Sequence, residues 1–171
     1  MFQRAIKSLE LVELDATSPG VLLENLLEVA PRLNCLKVIQ GQHDHLELQF
    51  ICEKFSYLQH LEVDVRKVTA ADNFVRFDGL AHLQELKLWG LIGINYIHPN
   101  NVRCLTISYG FLTDDDLIKI PEKFPLLKRL ILDICYQVSR PGIERLHKLI
   151  PSCRIDCYEQ RFYPVDNSTS N

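Results

Sequence analysis

His43-Asp44-His45 places two imidazoles on one side of any extended segment, and two nitrogen ligands at short range are half of what a transition metal needs. Cys153 and Cys157, four apart, are the other pair with metal-ligand character. Neither pair is completed: no second close cysteine or histidine pair accompanies the thiols, and no matching carboxylate or histidine cluster accompanies the imidazoles. The histidine triplet reads instead as a solvated turn entering a helix, and Cys153, at an apolar position, as a small core residue. The chain has no glycine-rich phosphate loop, no Gly-x-Ser-x-Gly elbow and no Cys/His arrangement that spacing alone can join. The expectation is therefore a non-enzyme, with no catalytic, cofactor-binding or metal-ligating residues. A different kind of chemistry attaches to Trp89, the only tryptophan, because a large, rigid, amphipathic ring is the side chain most used to anchor a protein partner.

What Trp89 can do depends on the elements that carry it. The pattern Leu-x-x-Leu-x-Leu recurs with starts at Ile6, Leu33, Leu58, Leu83, Val102, Leu127 and Ile150. Its three inward positions are apolar in all seven copies, from Ile6, Leu9 and Leu11 to Ile150, Cys153 and Ile155. In a chain that is 47% apolar, that outcome has odds on the order of one in ten million before the freedom of register is counted. Of the intervening positions, only Val12, Cys35, Ile39, Trp89, Cys104 and Ile131 are apolar. This alternation is that of half-buried strands. Between them run segments of helical period with start signals: Ser18 before Pro19 with Leu22, Leu23, Leu26, Leu27 and Ala30 on one face, capping-box spacings at Thr69/Asp72 and Thr113/Asp116, and candidate helices over 45–55 and 141–149. The link from Leu83 to Val102 is too short and too rich in Gly, Pro and Asn for a full helix, so an extended or single-turn return is expected there.

A period of this length predicts an α/β leucine-rich-repeat solenoid of about seven irregular repeats, with a curved parallel sheet on the concave side and helices on the convex side. Residues 1–164 form its single domain, and 165–171 a polar carboxy-terminal tail. Parallel strands turn the outward positions into rows. The middle row reads Glu10, Lys37, Glu62, Lys87, Thr106, Ile131, Arg154, and its first four members alternate in sign, a ladder suited to fixing register. The next reads Val12, Ile39, Asp64, Trp89, Ser108, Asp133, Asp156. Trp89 thus stands on the concave face among His60, Asp64, Glu85, Lys87 and Ser108, with Arg129 and Asp133 further along, an aromatic anchor with a charged rim. The competing arrangement has Trp89 fold onto the short connection that follows it, against Leu91 or Tyr96.

The formal net charge of -3 and the pI near 6.1 speak against a nucleic-acid footprint, since no basic run is dense enough to neutralise several phosphates. No apolar stretch approaches a membrane span and the first residues lack a signal-peptide core, so a cytoplasmic or nuclear location with six reduced cysteines is expected.

From Thr113 to Ile155 the chain resembles the cysteine-containing leucine-rich repeats of F-box proteins, the substrate receptors of cullin-RING (SCF) ubiquitin ligases. The matching residues are Thr113-Asp114, the strand Pro125 to Leu132, Cys135 closing it, Val138-Ser139 with Gly142-Ile143 opening a helix, and Ile150-Pro-Ser-Cys153-Arg-Ile155. The earlier copies carry Leu14, Gly41, Arg66, Leu91 and Gly110 where Cys135 stands. The resemblance implies a receptor whose repeats grip a protein, with a Skp-type adaptor and a cullin as partners where an F-box lies upstream. No F-box is visible before Ile6, so the chain is expected to be a fragment or truncated form of such a receptor, or else a free repeat scaffold, inhibitor or assembly factor.

Overall fold

The computed structural model describes residues 8–11, 19–38, 45–66, 76–77, 79–157 and 160–162. The expectations for Ile6, Val12, Ile39, Ser18, the Thr69/Asp72 box, His43-Asp44 and the tail 165–171 lie outside these residues. Strands β1 (Ser8–Leu11), β2 (Cys35–Val38), β3 (His60–Asp64), β4 (Glu85–Trp89), β5 (Cys104–Ser108), β6 (Arg129–Asp133) and β7 (Arg154–Cys157) pair in parallel, each beside the next in sequence. A last strand, β8 (Gln160–Phe162), returns antiparallel along β7 and covers its edge. The arrangement is α/β and is compatible with a solenoid-like stack.

From β2 to β6 the alternation expected is the alternation found. Leu36, Leu61, Leu86, Leu105 and Leu130 share one register column and Val38, Val63, Leu88, Ile107 and Leu132 another, all buried. Onto them pack α1 (Pro19–Val29) through Leu23, Leu26 and Ala30, α2 (His45–Lys54) through Leu48, Ile51 and Cys52, and α5 (Arg140–Leu149) through Ile143 and Leu146. Leu22, placed on the buried stripe of α1 by its spacing, is exposed at the edge of that stripe. The helix opened by Thr113 is split into α3 (Asp114–Leu117) and α4 (Ile120–Lys123). Its start is capped as the spacing predicts, the Asp116 carboxylate accepting from the Thr113 N–H at 2.9 Å and hydroxyl at 2.8 Å. Its interruption follows from Pro121, which has no N–H to give to the Leu117 carbonyl.

The return from β4 to β5 is a single 3-10 turn, Ile94–Tyr96, in place of a helix. Its Leu91, Ile94 and Ile97 still reach the core. In the other units the N–H of the residue that opens the pattern, Leu33, Leu58, Leu83 or Leu127, donates to a carbonyl three residues earlier at a helix or turn end. In the short unit Val102 donates instead to the side-chain oxygen of buried Asn100, at 3.0 Å.

The seventh copy corrects the expected register. β7 pairs Leu130 with Ile155 and Leu132 with Cys157, so its inward residues are Cys153, Ile155 and Cys157, and Ile150 only packs partly buried against the core. Aligning on Ile150 shifted the outward rows by two. Arg154 in fact stands beside Arg129, and Asp156 beside Ile131 in the middle row. The cause is the loss of one residue between the opening position and the strand: Cys153 makes the turn bond to Ile150, yet its strand begins one residue sooner than in the other units.

Strand exits impose a backbone demand. Gly90, Tyr109 and Ile134 occupy the same position after β4, β5 and β6, and all are left-handed, with φ of 72, 55 and 53. A Cβ on Gly90 would also lie 1.9 Å from Arg66 Cγ. Gly90→Ala is expected to destabilise by about 1.5 kcal/mol, combining the left-handed penalty with displacement of Arg66. Gly93→Ala, at an extended φ of -176 with its nearest contact at 3.4 Å, should be near neutral in the same urea titration. Equal costs would refute this account.

Between α3 and α5, the Asp114 carboxylate accepts from the Ser139 N–H at 2.8 Å and hydroxyl at 2.5 Å, and pairs with Arg145 at 3.2 Å. The Ser139 hydroxyl in turn accepts the Gly142 N–H at 3.1 Å, capping α5. The Ser139 hydroxyl bond above all, then its N–H and Arg145, hold the Asp114 pKa below its ordinary 3.8. A carboxyl lowered by folding stabilises the fold above its unfolded pKa and loses that contribution as pH falls through the folded value. Asp114→Asn should cost about 1 kcal/mol at pH 7, a figure reduced for solvent screening, and the gap should close as pH falls below 3.8. A gap independent of pH would disprove the assignment.

Candidate functional site

The sheet face opposite the helices carries the outward rows, and the structure brings most of the expected residues together there. Across β2, β3 and β4 the middle row runs Lys37, Glu62, Lys87 in register. Glu62 is held between the two lysines, 3.6 Å from Lys37 Nζ and 3.0 Å from Lys87 Nζ. Alternating sign along a row of parallel strands thus produces lateral ion pairs, as the sequence implies.

Trp89 ends β4 on this face, between Asp64 and Ser108 in register. Its indole Nε1 donates to Glu62 Oε1 at 2.8 Å, Lys87 Nζ lies 4.7 Å from its ring centroid, and its stacking partner is Tyr109, at 5.5 Å and 18°. The ring that Trp89 meets belongs to the exit of β5 and is not that of Tyr96, while Leu91 is buried in the core. The ladder and the aromatic anchor are one connected group. Glu62 serves both lysines and the indole, fixing the ring in one orientation on the open face.

The other expected residues divide into two sets. His60 Nδ1 meets Glu85 Oε2 at 3.0 Å at the half-exposed border of the face. Arg129 lies 3.2 Å from Asp156, which Arg154 also approaches at 3.1 Å. Asp133 is exposed, and among the described residues no cation stands within ion-pair distance of its carboxylate. Asp64 and Ser108, by contrast, are buried. The Asp64 carboxylate turns back to accept the Arg66 N–H at 3.0 Å and its guanidinium, which raises the Arg66 pKa through that hydrogen bond first and the charge second. Asp64 is thus occupied as a turn-former. Ser108, a short side chain between Trp89 and Asp133, forms the floor of a depression.

Two clefts flank the Lys87 position. One, about 250 Å³, lies above β2 to β4 among Lys37, His60 and Glu85. The other, about 290 Å³, lies above β5, where Thr106 and Ser108 are small and Lys87, Ile131, Asp133 and Asp156 form the walls. Tyr109 escaped the sequence reading because it stands one residue past the alternating positions. The available signal was an aromatic residue, followed by Gly110, at the place where the preceding unit has Gly90.

Cys135, Cys153 and Cys157 lie in the core and not on this face. Cys153 and Cys157 are buried in the core, and burial pushes both thiols up to about 11, away from the thiolate needed for nucleophilic attack. Burial likewise raises Cys135, whose sulfur lies 3.6 Å from the Ile107 and Asp133 carbonyls. Among the described residues no group of three or more His, Cys, Asp or Glu side chains is placed to hold a metal ion, and no helix is long and apolar enough to cross a membrane. The chain matches no known family model and no curated protein.

Proposed function

We propose that the chain is a leucine-rich-repeat solenoid acting as a non-catalytic protein-interaction module, with the outward, concave face of its sheet as the binding surface. The observation that supports it best is the Trp89–Tyr109 stack, with Tyr109 49% exposed although it carries an aromatic ring in a left-handed backbone. Gly90 and Ile134 share this left-handed strand exit, so the conformation belongs to the fold and what marks the position is the exposed ring it carries. Two residues past Tyr109, Phe111 is 57% exposed, and Tyr136, three residues past the end of β6, is 81% exposed. Aromatic residues held rigid in the open, with ion pairs beside them, are the composition of a protein-binding patch.

The test is site-specific photo-crosslinking in cells from position Arg129 on the face and from Gln49 on helix α2. A partner captured from position 129 alone, which then binds as purified protein and depends on Trp89, supports the reading. Equal capture from both positions refutes it.

Within this reading, the resemblance of residues 113–155 to F-box-protein repeats favours a substrate receptor of an SCF ubiquitin ligase. Its test is separate. The full-length natural chain should copurify with a Skp-type adaptor and a cullin, and failure to do so leaves a scaffold, inhibitor or assembly factor using the same face.

A further inference from the structure

We propose that the cleft above β5 is a receptor for an arginine side chain of the protein partner, an inference that rests on the interaction-module reading and names the chemistry recognised. Three features converge there. Ser108 is 1% exposed, and its hydroxyl oxygen meets no hydrogen-bond partner, an arrangement that is costly unless something entering the cleft supplies one. Asp133, the register neighbour of Ser108, brings a carboxylate without a cation to the same cleft. Ile131 offers apolar surface for the stem of a long side chain.

The opposite wall carries Lys87, a positive charge that at first sight opposes a cationic guest. Its ammonium is engaged elsewhere, 3.0 Å from Glu62 and 4.7 Å from the Trp89 ring centroid. Asp156 is compensated as well, by Arg129 and Arg154. Among the described residues, Asp133 is therefore the carboxylate lining the cleft that no cation engages. A guanidinium fits this set better than an ammonium. Its planar donors suit a carboxylate and a neighbouring hydroxyl together, and it is weakly hydrated.

Trp89, the single tryptophan, is a built-in reporter on the cleft's border. The whole chain is titrated with N-acetyl-arginine methylamide, its citrulline, lysine and glutamate counterparts, with Trp89 emission and the Ser108 and Tyr109 amide resonances as readouts. The arginine probe should saturate in the millimolar range, the lysine probe several-fold more weakly, and the uncharged citrulline probe not at all. Asp133→Asn, at an exposed position that leaves the core untouched, should weaken the arginine probe about tenfold. No saturable response to arginine, an unchanged response in Asp133→Asn, or tighter binding of the glutamate probe at Lys87 each overturns the proposal. The interaction module is judged separately. A crosslinked partner that depends on Trp89 but is indifferent to Asp133→Asn would leave the module standing and remove the arginine.

Discussion

Asn100→Leu is expected to destabilise the chain by about 3 kcal/mol, lowering its melting temperature by roughly 10 °C for a domain of this size. Asn100 closes the β4–β5 return, which has a 3-10 turn and no α-helix. Its amide donates to the Phe77 carbonyl at 2.9 Å, its side-chain oxygen accepts the Val102 N–H at 3.0 Å, and its own N–H reaches the Lys123 carbonyl at 2.7 Å. Three successive returns are thus tied through one buried residue. Leucine matches its size but removes both side-chain bonds, leaving the buried Val102 N–H unpaired at about 1–3 kcal/mol and the Phe77 carbonyl with only its bond from the Leu80 N–H. Asn100→Asp should fare no better, because a carboxylate cannot donate to Phe77 and is costly to bury. Asn101→Leu, one residue on and exposed, should stay within about 0.5 kcal/mol. Equal losses from Asn100→Leu and Asn101→Leu in thermal and urea unfolding would show that the effect belongs to loop composition and not to this bond network.

The same residue shows where the sequence stops being legible. Spacing exposes whatever is periodic: the two buried columns through Leu105 and Ile107, the Lys37–Glu62–Lys87 ladder and the capped start at Thr113 all follow from residues repeated at fixed offsets. Asn100 has no counterpart, since the same offset holds Pro31, Ser56, Ala81 and Pro125 in other units, where the main chain closes the turn unaided. Its role arises only because the helix is missing. Tyr109 was hidden for a related reason, as it lies just beyond the alternation and reaches Trp89 through a left-handed backbone that nothing in the leucine pattern encodes. Asp64 and Ser108 were correctly placed in the outward row, yet both are buried. Outward from a strand is not the same as exposed, as Asp64 shows by turning back to bind an arginine two residues on.

Trp89→Ala should weaken binding of the partner captured at the open face by about 2 kcal/mol or more, a loss of roughly thirtyfold. Its polar and aromatic interactions are with Tyr109 stacked against it, Lys87 over it and Glu62 at its nitrogen. None of these groups belongs to the buried columns, so removing the ring leaves the leucine core intact and should cost only about 1 kcal/mol in folding stability. The two effects therefore separate. A ring that served packing would give the opposite result, a clear drop in unfolding free energy with affinity unchanged. Trp89→Phe divides the anchor further, because it keeps a stack on Tyr109 while releasing Glu62 from its 2.8 Å bond. If the indole's polar edge serves mainly to fix orientation, Trp89→Phe should lose several-fold in affinity, and Glu62→Gln, which weakens the hold of both lysines and the indole, should lose a similar amount. Combining Trp89→Phe with Glu62→Gln should then lose less than the sum of the two, since both changes break one bond. Strict additivity in that cycle would show that Glu62 acts on the partner directly and not through Trp89.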